Sequence, residues 1–260
     1  MHVHTTASDG TASPVEVLQW AAEQTDLSVI AICDHNTNEG ALEAAALARE
    51  GSYGVEVVVA QEVESTDGHI LGLWTPEMIA PGMDAAHTVA AIHAQGGLAV
   101  AAHPYAPLWW DKHGLCRGTT AVYDCVDYDA VEVANSTPLL FLANFHARAY
   151  WRANSQRLAA VGGSDAHMLT VIGTSHTIFP GSTAEDLRAA IVARVTRGSG
   201  PTFNPFRTVS YARKVPTIKQ RDRERKQREI ERGISVNCEA CDSCARPSDP
   251  TSPTGSHTAE

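Results

Sequence analysis

The sequence lacks the features that would assign it to a membrane or secreted class. It has no run of about 18 apolar residues, so a transmembrane helix is not expected. The first ten residues, MHVHTTASDG, contain neither a basic nor an apolar segment, and they give no sign of a secretory signal peptide. Cys33, Cys116 and Cys125 are scattered, which favours a reducing cytoplasm over a disulfide framework.

Basic residues are scarce over most of the chain and abundant in one short stretch. Residues 1–206 hold 9 Lys and Arg against 22 Asp and Glu, whereas residues 207–232 hold 10 against 4. We therefore predict a domain at 1–206 and a basic arm at 207–232, which is either a solvated helix or disordered. A Pro- and Ser-rich tail at 233–260 is predicted to be disordered. We expect residues 1–206 to carry the whole functional site.

The tail also carries a Cys-x-x-Cys-x-x-Cys motif, formed by Cys238, Cys241 and Cys244. Structural zinc sites and iron–sulfur clusters usually take four protein ligands, and this stretch offers three. His257 is a fourth candidate, but it lies beyond a Pro-rich segment. We interpret the motif as part of a disordered, cysteine-bearing tail.

Seven short apolar runs predict buried strands, with helical patterns between many of them. The runs lie at 27–33, 55–60, 69–74, 97–102, 130–134, 158–163 and 175–179, and the later helices at about 40–50, 84–95, 138–154 and 183–197. The first helix is marked by Ser13, Pro14 and Glu16, which form a capping box with proline at its first position. This alternation predicts a largely parallel sheet, either open and doubly wound or closed into a barrel.

Side chains that commonly bind metal ions follow several of these strands. They are His35, Glu62, His103, Asp165 and His167, with His2 and His4 at the start of the chain. His2 and His4 would point to the same face of a strand, because side chains alternate with a period of two. In barrels and open α/β sheets, the carboxyl ends of the strands carry the active site. The pattern therefore predicts a metal site at this edge.

Five motifs then identify a family. In chain order, HVHTTASDG, CDHNT, QEVESTDGHILG, AAHPY and GGSDAH resemble the motifs of the PHP (polymerase and histidinol phosphatase) family of metal-dependent phosphoesterases. The resemblance covers roughly residues 1–200 and is strongest to the stand-alone nucleotide phosphatase and RNase branch. It implies an α/β fold, a distorted (β/α)7 barrel holding up to three divalent ions, followed here by a disordered or helical C-terminal tail.

The resemblance also implies a ligand set, and all nine family positions match. The ligands would be His2, His4, Asp9, His35, Glu62, His69, His103, Asp165 and His167. One ion would be held by His2, His4, Glu62 and Asp165; a second by Glu62, His69 and His103; and a third by Asp9, His35 and His167. Imidazole and carboxylate ligands without thiolate suit two or three ions of Mn²⁺, Zn²⁺ or Fe²⁺.

Two departures from the family pattern concern the first two strands. The family normally has an apolar strand body ahead of the first histidine, whereas here only Met1 precedes His2. We therefore expect a truncated first strand, with His2 and His4 poorly anchored and the true start further upstream. Cys33 stands where the family usually has Thr, and we interpret it as a small buried residue.

The expected chemistry is hydrolysis by a metal-activated water, with Glu62, His103 and Asp165 as the catalytic residues. Cations for the non-reacting phosphate oxygens are rare in this domain. The candidates are Lys112, His113 and Arg117, in the loop after His103, although a solvated loop is an equal alternative.

The predicted function is phosphoesterase activity on a nucleotide or a short RNA 5′ end, without a membrane or an obligate protein partner. Three alternatives stay open: a phosphatase of histidinol phosphate or a sugar phosphate, a hydrolase of a carbamate, amide or carboxylic ester, and a non-catalytic metal-binding module. The complete ligand set argues against the last, since a degenerate module would be expected to lose ligands.

Overall fold

Short buried strands alternate with helices along the chain, as the apolar runs predict. The computed structural model describes residues 1–51, 53–106, 125–138, 140–201 and 205–234. The strands are β1 (Val29–Ile32), β2 (Glu56–Ser65), β3 (Gly68–Leu73), β4 (Leu98–Ala101), β5 (Ala130–Asn135), β6 (Ala159–Gly163), β7 (His176–Ile178) and β8 (Arg197–Ser199). The helices are α1 (Pro14–Gln24), α2 (Glu39–Glu50), α3 (Ala85–Ala94), α4 (Phe141–Asn154), α5 (Ala184–Val192) and α6 (Pro205–Glu231).

Six strands form one curled sheet in the order β1-β2-β3-β4-β5-β6. The pairs β1–β2, β4–β5 and β5–β6 are parallel, whereas β3 is antiparallel to both β2 and β4. Only Thr66 and Asp67 connect β2 to β3, and a parallel crossover needs a far longer connection, so these strands form a hairpin. β7 and β8 form a separate antiparallel pair, and β8 was not foreseen from the sequence.

Val3 lies between the two ends of this curled sheet. It forms parallel bridges with Ile32 at the end of β1 and with Ala166, just beyond β6. The Val3 carbonyl accepts from the Cys33 amide at 2.8 Å, and the His4 amide donates to the Ala166 carbonyl at 2.9 Å. His2 and His4 are therefore held on both sides, in contrast to the expectation that they are poorly anchored.

The α1 helix begins as its sequence predicts. The Ser13 hydroxyl accepts from the Glu16 amide, and the Glu16 carboxylate accepts from the Ser13 amide at 2.8 Å. This reciprocal capping satisfies two amides at the helix start. The buried face of α1, including Leu18 and Ala21, packs in the same apolar cluster as Ala41 and Ala44 of α2.

The basic stretch after residue 206 is helical, and one face of it is not solvated. In α6, Tyr211 and Ile218 are buried and pack with Met168. Further along, Arg225 is only 3% exposed. This packing of α6 on the domain was not predicted from the sequence, because the buried face of the helix is partly charged. Among the described residues, no helix is both long and apolar enough to cross a membrane.

Candidate metal centre

The curled sheet brings all nine candidate ligands to one edge. His2 and His4 flank Val3, His35 follows β1, Glu62 and His69 lie in the β2–β3 hairpin, His103 follows β4, and Asp165 and His167 follow β6. Asp9 lies in the loop after His4. Most of the ligands lie near strand ends, while Glu62 lies within β2 and Asp9 in a loop, and the fold brings them together.

Backbone strain is concentrated at these positions. His2, His103 and Asp165 all have positive φ, at 65°, 25° and 49°. Such conformations are costly for residues with a side chain, and they persist where the surrounding structure imposes them. Strain at three of nine candidate ligands is typical of a functional site rather than of a packed core.

Glu62 lies at the centre of the cluster, and its two carboxylate oxygens face different histidines. Its Oε2 lies 3.2 Å from His2 Nε2, 3.3 Å from His4 Nε2 and 3.4 Å from His35 Nδ1. Its Oε1 lies 3.0 Å from both His69 Nδ1 and His103 Nε2. A carboxylate in this arrangement can bridge two cations, as the family resemblance implies for this residue.

Asp165 completes the group around the first two histidines. Its Oδ1 lies 3.2 Å from His4 Nε2 and 3.5 Å from His2 Nε2. A second group forms around Asp9, whose Oδ2 lies 3.2 Å from His167 Nε2. Ligand atoms of His4, Asp9, His35 and His167 all lie within 4.8 Å of one another. The nine candidate ligands thus form overlapping clusters, and His103 also lies close to His2 and Asp165, outside the group expected for it.

Several polar atoms at this centre are buried without a hydrogen-bond partner among the described residues. They are Nε2 of His2, both ring nitrogens of His4, Nδ1 of His35 and Oε2 of Glu62. Each such atom costs about 1–3 kcal/mol when nothing compensates its lost hydration. Divalent cations between these atoms would satisfy their lone pairs, and imidazole and carboxylate donors suit Mn²⁺, Zn²⁺ or Fe²⁺. The donor set therefore fits bound metal.

The protonation states follow from burial and from neighbouring charge. Burial lowers the pKa of His35 to about 4, so its imidazole is neutral and available as a ligand at pH 7. Burial alone would raise the pKa of Glu62, but the adjacent His2 and His35 hold it well below its usual range. Burial opposes the charged form of His4, yet the adjacent carboxylates of Asp165 and Glu62 raise its pKa to about 10. Metal binding at His4 therefore releases a proton.

Glu132, which the sequence analysis missed, holds two of the candidate ligands in place. Its Oε1 accepts from His2 Nδ1 at 3.1 Å, and its Oε2 accepts from the His103 amide at 2.8 Å. Asn135 Nδ2 donates to Glu132 Oε2 at 2.9 Å and to Asp165 Oδ2 at 3.3 Å. The sequence does contain a signal for Glu132, which is a lone carboxylate inside the apolar run AVEVA. A charge buried in a strand needs partners, so such a residue is expected to bind other polar groups.

Asp34 performs a similar role for the loop that carries Asp9. The buried Asp34 carboxylate accepts from the Thr5 amide and hydroxyl, each at 2.7 Å, and from the Ser8 hydroxyl at 2.6 Å. Burial raises the pKa of Asp34, while these donors and the nearby His4 oppose that rise. The loop between His4 and Asp9 is thus tied to the end of β1.

Seven of the nine candidate ligands, all except the buried His2 and His4, line a cavity of about 310 Å³. We call the nine together the floor of this cavity, and α6 forms one wall. The wall is tied to β2 by Arg225, which pairs with Glu64 at 2.7 Å. Glu64 in turn lies 3.7 Å from His35 Nδ1. The cavity therefore extends beyond residue 206, although all nine candidate ligands lie within residues 1–206.

The predicted phosphate-binding residues Lys112, His113 and Arg117 lie outside the described residues, as do Cys238, Cys241, Cys244 and His257. Histidines that we did not assign to the site lie elsewhere. His93 is partly exposed and pairs with Asp129 at 2.9 Å, and His87 pairs with Asp84 on the surface at 2.8 Å. Each of these two histidines contacts the carboxylate of one residue: Asp84 caps α3, and Asp129 directly precedes β5.

Comparisons with known proteins agree with this geometry. The model of the family described as PHP-associated matches residues 141–196. MJ1587, an uncharacterized protein of Methanocaldococcus jannaschii, is 36% identical over 148 residues, which are 52% of this chain and 80% of that protein. A 5′-3′ exoribonuclease of Haemophilus influenzae is 40% identical over 77 residues, 28% of this chain and 27% of the enzyme.

A solved structure supports the fold. It is a two-domain protein of Bacteroides vulgatus, described as containing a predicted PHP-like metal-dependent phosphoesterase. The TM-score is 0.58 at 18% identity, and the match covers 76% of this chain and 63% of the other. This chain therefore spans less than two thirds of that protein.

Proposed function

Because this chain belongs to the PHP family, we propose that it is a metal-dependent hydrolase of phosphate esters. The observation that carries the proposal is Glu62, whose two oxygens face separate sets of histidines. Around it, buried nitrogens of His2, His4 and His35 have no hydrogen-bond partner in the described part of the chain. This arrangement is suited to holding two or three divalent cations.

Such ions, when bound, supply a nucleophile at neutral pH by lowering the pKa of a coordinated water, and they neutralise charge on phosphate oxygens. The protein itself positions the ligand side chains and keeps water away from them. Glu62 and Asp165 place carboxylates between the histidines, and Glu132 fixes the ring of His2 and the backbone of His103. Burial of these groups excludes bulk water from the floor of the cavity.

The substrate we propose is a nucleotide or the 5′ end of a short RNA. Two observations support it: the local identity to the Haemophilus influenzae 5′-3′ exoribonuclease, and a cavity of about 310 Å³. That volume is at the lower end of small-molecule sites, so it suits one terminal group rather than a duplex. We place the enzyme in the cytoplasm, because the described cysteines Cys33 and Cys125 are both free.

The test is a substrate panel with protein reconstituted in Mn²⁺, Zn²⁺ or Fe²⁺. The panel contains 4-nitrophenyl phosphate, adenosine 5′-monophosphate, a 5′-phosphorylated oligoribonucleotide, histidinol phosphate, a sugar phosphate and an aryl methylcarbamate. We expect turnover of phosphate esters that stops with chelator and returns with metal. Turnover of the carbamate alone, or no turnover with a fully loaded protein, would contradict the proposal.

A further inference from the structure

The wall that α6 contributes to the cavity changes character along its length. Cavity-lining residues recur at alternating spacings of four and three, so they share one helix face. The first part is apolar, with Tyr211, Val215 and Ile218, and the second is charged and mostly cationic, with Lys219, Asp222, Arg225 and Lys226. This face lies opposite a floor of carboxylates and imidazoles.

Two of the three cations are already committed to carboxylates. Arg225 pairs with Glu64 and with Glu229, each at 2.7 Å, and with Asp222 at 2.8 Å. Lys226 lies 3.4 Å from Asp222. These pairs fix α6 against β2, and they leave little of either charge for a ligand.

Lys219 differs from both of them. It lines the same cavity as Glu62 and His103, yet no carboxylate of the described residues lies within ion-pairing distance of its ammonium group. An ammonium on a long flexible stem is a point charge that can reach a phosphate oxygen. A lysine without a carboxylate partner, at the mouth of a site for an anion, is poised to bind that anion.

We propose that Lys219 binds a non-reacting oxygen of the substrate phosphate, and that Tyr211, Val215 and Ile218 form the surface on which the organic part of the substrate packs. This inference rests on the proposed function, and it deepens it by naming the class of substrate: a phosphate monoester with a small organic group that is partly apolar. These three side chains line the cavity, and the packing of Tyr211 and Ile218 against Met168 holds that surface in place.

The experiment compares Lys219→Ala with Lys214→Ala in the full-length, Mn²⁺-loaded protein. Lys214 is an exposed lysine of the same helix that does not line the cavity, so it controls for net charge and helix propensity. Binding of inorganic phosphate is measured by calorimetry, and kcat and KM are measured with 4-nitrophenyl phosphate. For Lys219→Ala we expect phosphate affinity to fall about 10-fold and KM to rise by a similar factor, with kcat little changed.

Lys219→Arg should restore most of the phosphate affinity, and Lys219→Glu should weaken it further than Ala. The inference is overturned if Lys219→Ala and Lys214→Ala bind phosphate equally, or if the wild-type protein binds no phosphate at all. The experiment distinguishes failure of the Lys219 inference from failure of the proposed function. A protein that binds phosphate through Lys219 but hydrolyses no ester would refute only the function, and one that hydrolyses esters independently of Lys219 would refute only the inference.

Discussion

The floor of the cavity and its α6 wall are built in opposite ways. The floor takes its nine residues from separate segments spread between His2 and His167, so only the complete curled sheet assembles it. The wall is one continuous helix, held to the domain by an apolar contact at Tyr211 and Ile218 and by the ion pairs of Arg225. The proposed metal chemistry therefore depends on the whole sheet, whereas the proposed recognition of the substrate depends on one helix.

The largest expected effect comes from removing the charge at the centre of the floor. Glu62→Gln replaces one oxygen by an amide group that faces histidines on either side, so it disturbs both metal groups at once. We expect kcat/KM to fall by more than about 100-fold and bound metal to be lost, as measured by steady-state kinetics and elemental analysis. His103→Ala should have a comparable effect.

The control for these floor variants is His93→Ala, which removes a histidine paired with one carboxylate near the surface. It should retain wild-type turnover and metal content. Near wild-type turnover in Glu62→Gln, with its circular dichroism unchanged, would show that the floor is not the catalytic centre.

A smaller effect is expected from the residue that holds floor ligands in position. Glu132 accepts a hydrogen bond on each carboxylate oxygen, from the His2 ring and from the His103 amide. In Glu132→Gln, the new amide NH₂ group would face one of these two donors. We expect metal affinity to fall about 10–100-fold, measured by competition with a chelator. Glu43→Gln, on the exposed face of α2, should leave it unchanged, and equal affinities in the two variants would refute the assigned role.

The floor could be predicted from the sequence, and the reason is physical. Five ligands follow short apolar runs, and the ends of neighbouring strands must meet at one edge of a sheet. The other four were assigned by the family resemblance. Glu132 and Glu64 could not be assigned in this way, because their partners come from distant elements. The α6 contact was missed because its buried face includes charged residues such as Arg225, which resemble a solvated surface in sequence.

Removing α6 tests whether metal binding and substrate binding depend on different parts of the cavity. Truncation after residue 206 removes Lys219 and the apolar surface of α6 but none of the nine floor residues. We expect metal content to persist and KM for 4-nitrophenyl phosphate to rise about 10-fold. Loss of bound metal in the truncated chain would mean that α6 is needed to assemble the floor, and an unchanged KM would mean that the wall plays no part in recognition.

The smallest effect on activity is expected from releasing the ion pairs between wall and sheet. Arg225→Met leaves Glu64 without its strongest partner, and removing one member of a buried pair costs about 3–5 kcal/mol. We expect α6 to detach more often, so that trypsin cleaves after Lys219 or Arg221 faster than in the Arg213→Met control, while kcat changes less than about 3-fold. Glu64→Gln combined with Arg225→Met should restore part of the protection, and equal cleavage in all variants would contradict this account.

Val3 pairs with a residue that is made much later in synthesis. The Ser164 hydroxyl donates to the His2 carbonyl across 162 positions of chain, and Val3 itself pairs with Ala166. During synthesis at about 5–20 residues per second, the segment around His2 therefore waits roughly 10–30 s for its partner strand to emerge. Contacts this distant in sequence also slow folding, because a large loop must close before they form. The segment around His2 is thus made well before the strand that holds it.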